Sequence, residues 1–195
     1  RTAALDPEAL NETERVTRDI ILRKIEDSEQ EDRLRFYEWS VDQMNGPQVE
    51  FFQQVNFYPF RNAKDVRDLA IRFRAFPKYM DQYLDNLRSG IRHGRVAPRI
   101  AVDRVLAQAE KVAAQTVETS PLFSAVDKIP KDLPEAERAE LRKSIEDAIG
   151  GSVLPTFRKF RDFLKSDYLG RARDSVGVCA MPDGEEAYAF RVRSH

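Results

Sequence analysis

AKDVRDLAIRFRAFPKYMDQYLDNLRSGIRH, residues 63–93, is the stretch on which the fold turns. Its apolar positions are Val66, Leu69, Phe73, Phe76, Met80, Tyr83, Leu87 and Ile91. Steps of three and four alternate between them, which lays one apolar stripe along a helix. At 1.5 Å per residue that helix is about 45 Å long. Pro77 falls inside it. Its ring removes a hydrogen-bond donor and crowds the carbonyl of Phe73, so a kink or a break is expected there. Ser89-Gly90 and Gly94 weaken the far end.

Helical patterns flank this centre on both sides. Asp6-Pro7 reads as N-cap and first helical position. The helix it opens carries Leu10, Ile20, Ile21 and Ile25 to about Ser28. A second pattern holds Leu34, Tyr37, Val41 and Met44 and stops at Asn45-Gly46-Pro47. Phe51, Phe52, Val55, Phe57, Tyr58 and Phe60 form the densest apolar cluster, a short helix broken at Pro59. Pro98 starts a helix with Val102, Val105, Leu106, Ala109, Val112 and Ala113 inward. Three prolines mark 121–134 as a loop anchored by Phe123 and Val126. Pro134 opens a helix with Leu141, Ile145 and Ile149, closed by Gly150-Gly151, and Ser152 caps the next, with Val153, Phe157, Phe160 and Leu164. Residues 176–181 read as a short extended segment before the turn Pro182-Asp183-Gly184. A final helix covers about 185–193. The expected fold is all-α: one helical domain over 1–195, an antiparallel multi-helix array around a long kinked central helix.

Composition bounds the chemistry. The chain has 195 residues, with 32 Lys+Arg against 33 Asp+Glu, so no bulk charge drives it onto nucleic acid. The basic cluster Arg88, Arg92, His93, Arg95 and Arg99 has Asp81, Asp85 and Asp103 at hand as partners. No apolar run is long enough to span a bilayer. The start at Arg1 has no apolar central region and no Met, which reads as a processed or trimmed chain rather than a signal peptide. Two histidines, His93 and His195, and one cysteine, Cys179, exclude an internal disulfide and a zinc site built mainly from His and Cys. The histidines are too far apart in sequence for a metallopeptidase helix motif. His93 reads as an exposed helix-end cation and His195 as a frayed terminus. No Gly-x-Ser-x-Gly elbow is present, and Cys179, in an apolar run, reads as a buried inert thiol. Gly150-Gly151-Ser152 reads as a helix-to-helix turn before an anion cradle. The aromatic cluster reads as core, with Asn56 and Tyr58 as the polar tips of any groove it lines. No catalytic residue, metal ligand or cofactor-binding residue is assigned in this chain.

Three segments carry a family resemblance. The first runs from Arg74-Ala75-Phe76-Pro77-Lys78-Tyr79-Met80-Asp81 through Asn86-Leu87-Arg88-Ser89-Gly90-Ile91 to Val96-Ala97-Pro98-Arg99. The second is Leu154-Pro155-Thr156-Phe157-Arg158-Lys159-Phe160 with Phe163-Leu164 and Tyr168-Leu169. The third is Val176-Gly177-Val178 with Met181-Pro182-Asp183-Gly184 and Tyr188. Gln43-Met44-Asn45-Gly46-Pro47-Gln48 adds to them. In this order they resemble the N-terminal half of the bacterial "domain of unknown function 885" family, often lipoproteins or secreted proteins. That family is similar to zinc-dependent metallopeptidases, with a His-Glu-x-x-His helix in its C-terminal half. The resemblance implies a non-catalytic N-terminal helical module of a peptidase-like hydrolase, forming one wall of a groove for a peptide substrate. Zinc would belong to the full-length parent. The partner implied is the C-terminal half, with a homodimer as the substitute in isolation. Segment 177–188 would approach that half, which adds Met181 and Tyr188 to the groove-lining candidates. It also implies an extracytoplasmic location, while a single cysteine fits a reducing cytosol too. A self-contained helical interaction or scaffold domain is the competing reading.

Overall fold

The computed structural model describes residues 4–194. Its elements are helical: α1 (Glu12–Arg33), α2 (Pro47–Phe57), α3 (Ala63–His93), α4 (Arg99–Ala113), α5 (Ser124–Asp127), α6 (Glu135–Ala148), α7 (Leu154–Phe163) and α8 (Gly184–Ser194), joined by 3-10 and π turns. The fold is all-α, as the periodicity predicts. Where the sequence reads as one domain, the chain falls into two compact units: residues 1–37 with 177–195, and residues 38–176. None of the helices among the described residues is long and apolar enough to cross a membrane.

In the larger unit α3 is the axis. Asn62 caps it by accepting from the Asp65 N–H, and Gly94, at φ 69°, ends it in the left-handed conformation that glycine adopts without strain. Pro77 does not break it; the helix runs unbroken from Ala63 to His93. Val66, Leu69, Phe73, Phe76, Met80 and Leu87 are buried as the stripe requires. The stripe also takes in Leu84, which is fully buried, while Tyr83 is half-buried and donates its hydroxyl to the Ser40 carbonyl. Helices α6 and α7 pack against α3, and α4 packs against α7 and α2.

Gly150-Gly151 does not close α6. The backbone passes through a π turn, Ile149–Val153, straight into α7, and Ser152 caps nothing. Pro155 explains the wide turn, because its ring cannot follow an ordinary α-turn against the carbonyl four residues back. Ile149 and Val153, both fully buried, fasten the turn to the core. A second π turn, Leu164–Tyr168, brings the buried Tyr168 to Ala97, whose N–H donates to the phenol oxygen at 2.9 Å. In the expected 121–134 loop, 121–127 is a 3-10 turn followed by α5 and 128–134 is irregular. Leu122, Ala125 and Ile129 are its buried anchors, and Val126 packs against the core beside them.

The smaller unit is built by α1 and α8. Asp6-Pro7 opens only a 3-10 turn. The true cap of α1 is Asn11, in a reciprocal capping box with Glu14. Arg35, at φ 53°, stops α1, so the pattern read at 34–44 is not a second helix but one 3-10 turn, Phe36–Trp39. Leu34, Ala187 and Phe190 form a small core, and Arg33–Glu186 and Arg191–Glu31 pairs flank it. The extended segment expected at 176–181 is instead a single 3-10 turn, Val178–Ala180. Gly184 follows so closely that a Cβ there would meet the Val178 carbonyl, which folds the segment back on itself. The extended pairing among the described residues is a lone parallel bridge between Pro98 and Arg173. Cys179, read as buried, is exposed for the same reason: a 3-10 turn cannot bury every side chain of an apolar run.

Two glycines test this packing. A Cβ on Gly90 would lie 2.0 Å from the Glu38 carbonyl oxygen and 2.5 Å from that of Arg95, both backbone. Gly151 has nothing within 4 Å. Gly90→Ala is expected to destabilise by about 1–3 kcal/mol, lowering Tm by roughly 2–4 °C per kcal/mol in thermal melts. Gly151→Ala is expected to leave Tm unchanged or raise it. A reactive-thiol assay on the native protein should titrate Cys179 without denaturant.

Candidate functional site

Helices α2 and α3 each present residues at steps of three, one and three to a shared groove. From α2 these are Pro47, Glu50, Phe51 and Gln54, and from α3 they are Arg72, Ala75, Phe76 and Tyr79. The cavity between them is about 260 Å³. Its floor is aromatic. Phe51 stacks on Phe76 with centroids 3.8 Å apart, and Tyr79 lies along Phe76 at 6.0 Å. Phe51 and Phe76 continue into the core through Phe157, so the floor is held rigidly from below.

The rim is polar. Among the described residues the side chains of Glu50, Gln54 and Arg72 make no ion pair, and they line the cavity. Arg72 stands over the Tyr58 ring at 5.5 Å, which packs its flat face and leaves its N–H edges unspent. Burial, and then the charge of Glu50, push the Tyr79 phenol up from its ordinary pKa. The Tyr79 hydroxyl therefore stays protonated and serves as a donor. Glu50 is negative on one wall and Arg72 positive on the other, across an apolar floor. Such a site can hold a ligand with an apolar body and ends of opposite charge.

A second cluster brings a carboxylate, a hydroxyl and an imidazole together. Glu38, 1% exposed, accepts from the Ser89 hydroxyl at 2.8 Å and sits 2.9 Å from His93 Nδ1, with the Arg95 guanidinium 3.5 Å away. In a hydrolytic triad the carboxylate and the hydroxyl engage opposite ring nitrogens. Here the carboxylate holds both Ser89 and Nδ1, and Ser89 Oγ also faces Nδ1, at 3.5 Å. The cluster is a buried anchor for the end of α3. His93, read as an exposed helix-end cation, is exposed at the end of α3, and its Nδ1 faces Glu38. His195 lies outside the described residues. Among the described residues no group of three or more His, Cys, Asp or Glu could hold a metal ion.

Of the sequence candidates, Asn56 is exposed on α2, and Tyr58 is half-buried at its end, edge-on to Phe60. Met181 is buried and Tyr188 exposed, both in the smaller unit. None of the four lines the α2–α3 groove. The groove residues were legible as a pattern: 47, 50, 51, 54 and 72, 75, 76, 79 carry the same helical spacing. The sequence reading spent Phe51 and Phe76 on the core and passed over their charged neighbours. The remaining cavities of the larger unit, one near Ile129 and Arg138 and one near Val117 and Gly150, lack a buried aromatic floor.

The larger unit is all-helical and carries an aromatic-floored groove between α2 and α3. The chain matches over residues 1–195 the model of the family described as "Bacterial protein of unknown function (DUF885)", and it belongs to that family. No curated protein matches it. Among solved structures it is similar to the crystal structure of "the putative lipoprotein from Colwellia psychrerythraea", with a TM-score of 0.73 and 17% identity. That match covers 80% of this chain and 27% of the other, so the chain corresponds to about a quarter of that protein's length.

Tyr168 supplies the test of the core beneath the site. Burial raises its phenol to about 12. The folded state thus holds this proton more tightly than the unfolded chain, whose tyrosines titrate near ~10. Its contribution is complete below pH ~10 and is lost as pH rises toward 12. Tyr168→Phe is expected to cost about 1–3 kcal/mol at neutral pH by stranding the Ala97 N–H, and to flatten the fall in stability above pH ~10 in urea titrations.

Proposed function

We propose that this chain is a non-catalytic helical module of a peptidase-like hydrolase, in which it forms one wall of a substrate groove. One observation carries the reading: the α2–α3 groove combines a buried aromatic floor with polar groups of both signs that the fold does not use. Zinc-dependent chemistry, where the parent protein performs it, would come from residues outside this chain. The lipoprotein named among the similar structures supports an extracytoplasmic placement. The test is incubation of the purified chain with a mixture of unstructured peptides. Saturable binding without cleavage, read by calorimetry and mass spectrometry, is expected. Turnover by this chain alone overturns the reading.

A second reading, an interaction module, has its own support. The smaller unit exposes Val16, Ile20, Ile21 and Ile25 on α1 and Tyr188 and Val192 on α8. Apolar side chains gathered on helices in this way suit a protein partner, either the rest of the family polypeptide or a second copy. Light scattering across a concentration series distinguishes self-association from a monomer.

A further inference from the structure

Resting on the reading of the chain as a substrate-groove wall, we propose that the α2–α3 groove is a subsite for a dipeptide-sized zwitterion with an apolar side chain. Its ammonium meets Glu50, its carboxylate meets Arg72, and its side chain lies on the Phe51–Phe76–Tyr79 floor.

Three observations select this ligand. The first is charge complementarity. Glu50 and Arg72 stand on opposite helices across one cavity; Arg72 packs its face on the Tyr58 ring, which leaves its N–H edges for a ligand. A fork of guanidinium N–H groups matches a carboxylate in two parallel bonds, and a carboxylate accepts well from an ammonium. The second is the floor. The half-exposed Tyr79 ring, backed by the buried and stacked Phe76 and Phe51, makes the floor largely apolar. An aliphatic or aromatic side chain buries area there, and a polar one would lose its water without replacement. The third is size. At about 260 Å³ the cavity lies just below the range of ~300–1,000 Å³ in which drug-sized ligands sit. One or two amino-acid residues fill it. Gln54 and the protonated Tyr79 remain to bond the central amide.

Calorimetry with the dipeptide Leu-Phe tests this, alongside its N-acetyl form, its C-terminal amide and a ten-residue peptide. The free dipeptide should bind, with amide shifts at Gln54 and Ala75 in NMR spectra. Each cap should weaken binding about tenfold, the loss of one charge-assisted contact. In Glu50→Gln the N-acetyl and free forms should bind alike. In Arg72→Gln the amide and free forms should bind alike, and Arg72→Lys should recover part of the loss. Both residues are exposed, and unchanged melting curves show that the variants fold. Equal binding of capped and free dipeptide overturns the subsite, as does binding that neither variant alters. Binding of the ten-residue peptide without the dipeptide also overturns the subsite but keeps the groove-wall reading. Binding of the dipeptide without the longer peptide supports the subsite and counts against the groove wall. A dimer dispersed by Arg72→Gln would give the groove to a second copy and end the proposal.

Discussion

Burial of one face of α3 is the constraint on which the larger unit depends. A 31-residue helix cannot stay folded in water on propensity alone; its apolar stripe must be covered along its length. Phe73 is fully buried, and its loss would remove one of the largest side chains from the centre of that stripe. Helices α6 and α7 supply most of the cover, as one continuous run of chain. A single straight helix could not do it, because its stripe would drift away from α3. The π turn at Ile149–Val153 solves this. One extra residue in a turn advances the apolar phase by about 100°, so Ile145 and Ile149 before it and Phe157 and Phe160 after it are all fully buried.

The polar groups buried by this arrangement are few, and those near the end of α3 act as fasteners. Glu38 is held by Ser89, His93 and Arg95 beside Gly90, where a Cβ would meet the Glu38 and Arg95 carbonyls. Tyr168 receives the Ala97 N–H, and the Arg173 side chain donates to the Val96 carbonyl. Both fasteners lie where α3 hands over to α4. That junction has no regular helical hydrogen bonding of its own, so side chains must satisfy the backbone there.

The helices were legible because each of the long ones carries its own period. The 63–93 stripe, the Val102–Ala113 pattern and the Phe157–Leu164 pattern face the core as read, with Tyr83, Ile91 and Leu106 partly buried at its margin. What was not legible depended on contacts from elsewhere in the chain. Gly150-Gly151 reads as a stop, since nothing local says that Pro155 and two buried neighbours will carry the helix through. Cys179 reads as buried because its neighbours are apolar, yet the close approach of Gly184 to Val178 turns the segment outward. Leu84 joins Tyr83 in the stripe: the Tyr83 ring packs edge-on to Phe160 while its hydroxyl donates to the Ser40 carbonyl at the margin. The groove was half legible. Its floor was found as aromatic core, whereas Asn56 and Tyr58 were chosen as polar tips by nearness in sequence. The relevant tips are one helical turn earlier on α2 and on the facing helix.

The placement of Glu50 and Arg72 bears on whether the groove is a by-product of packing. Helix α2 has 11 residues against 31 in α3, so it covers only part of the stripe and leaves an edge where Tyr79 meets solvent above the buried Phe76. A fold under no other demand would border such an edge with side chains that pair with one another, as Arg61 and Asp65 or Lys64 and Asp68 do along the same helix. Glu50 and Arg72 instead keep their charges apart across an apolar floor. That arrangement contributes nothing to the core, and exposed charges of this kind are nearly neutral for stability. Fold and groove are therefore separable: the phenyl rings belong to both, and the two charges belong to the groove alone.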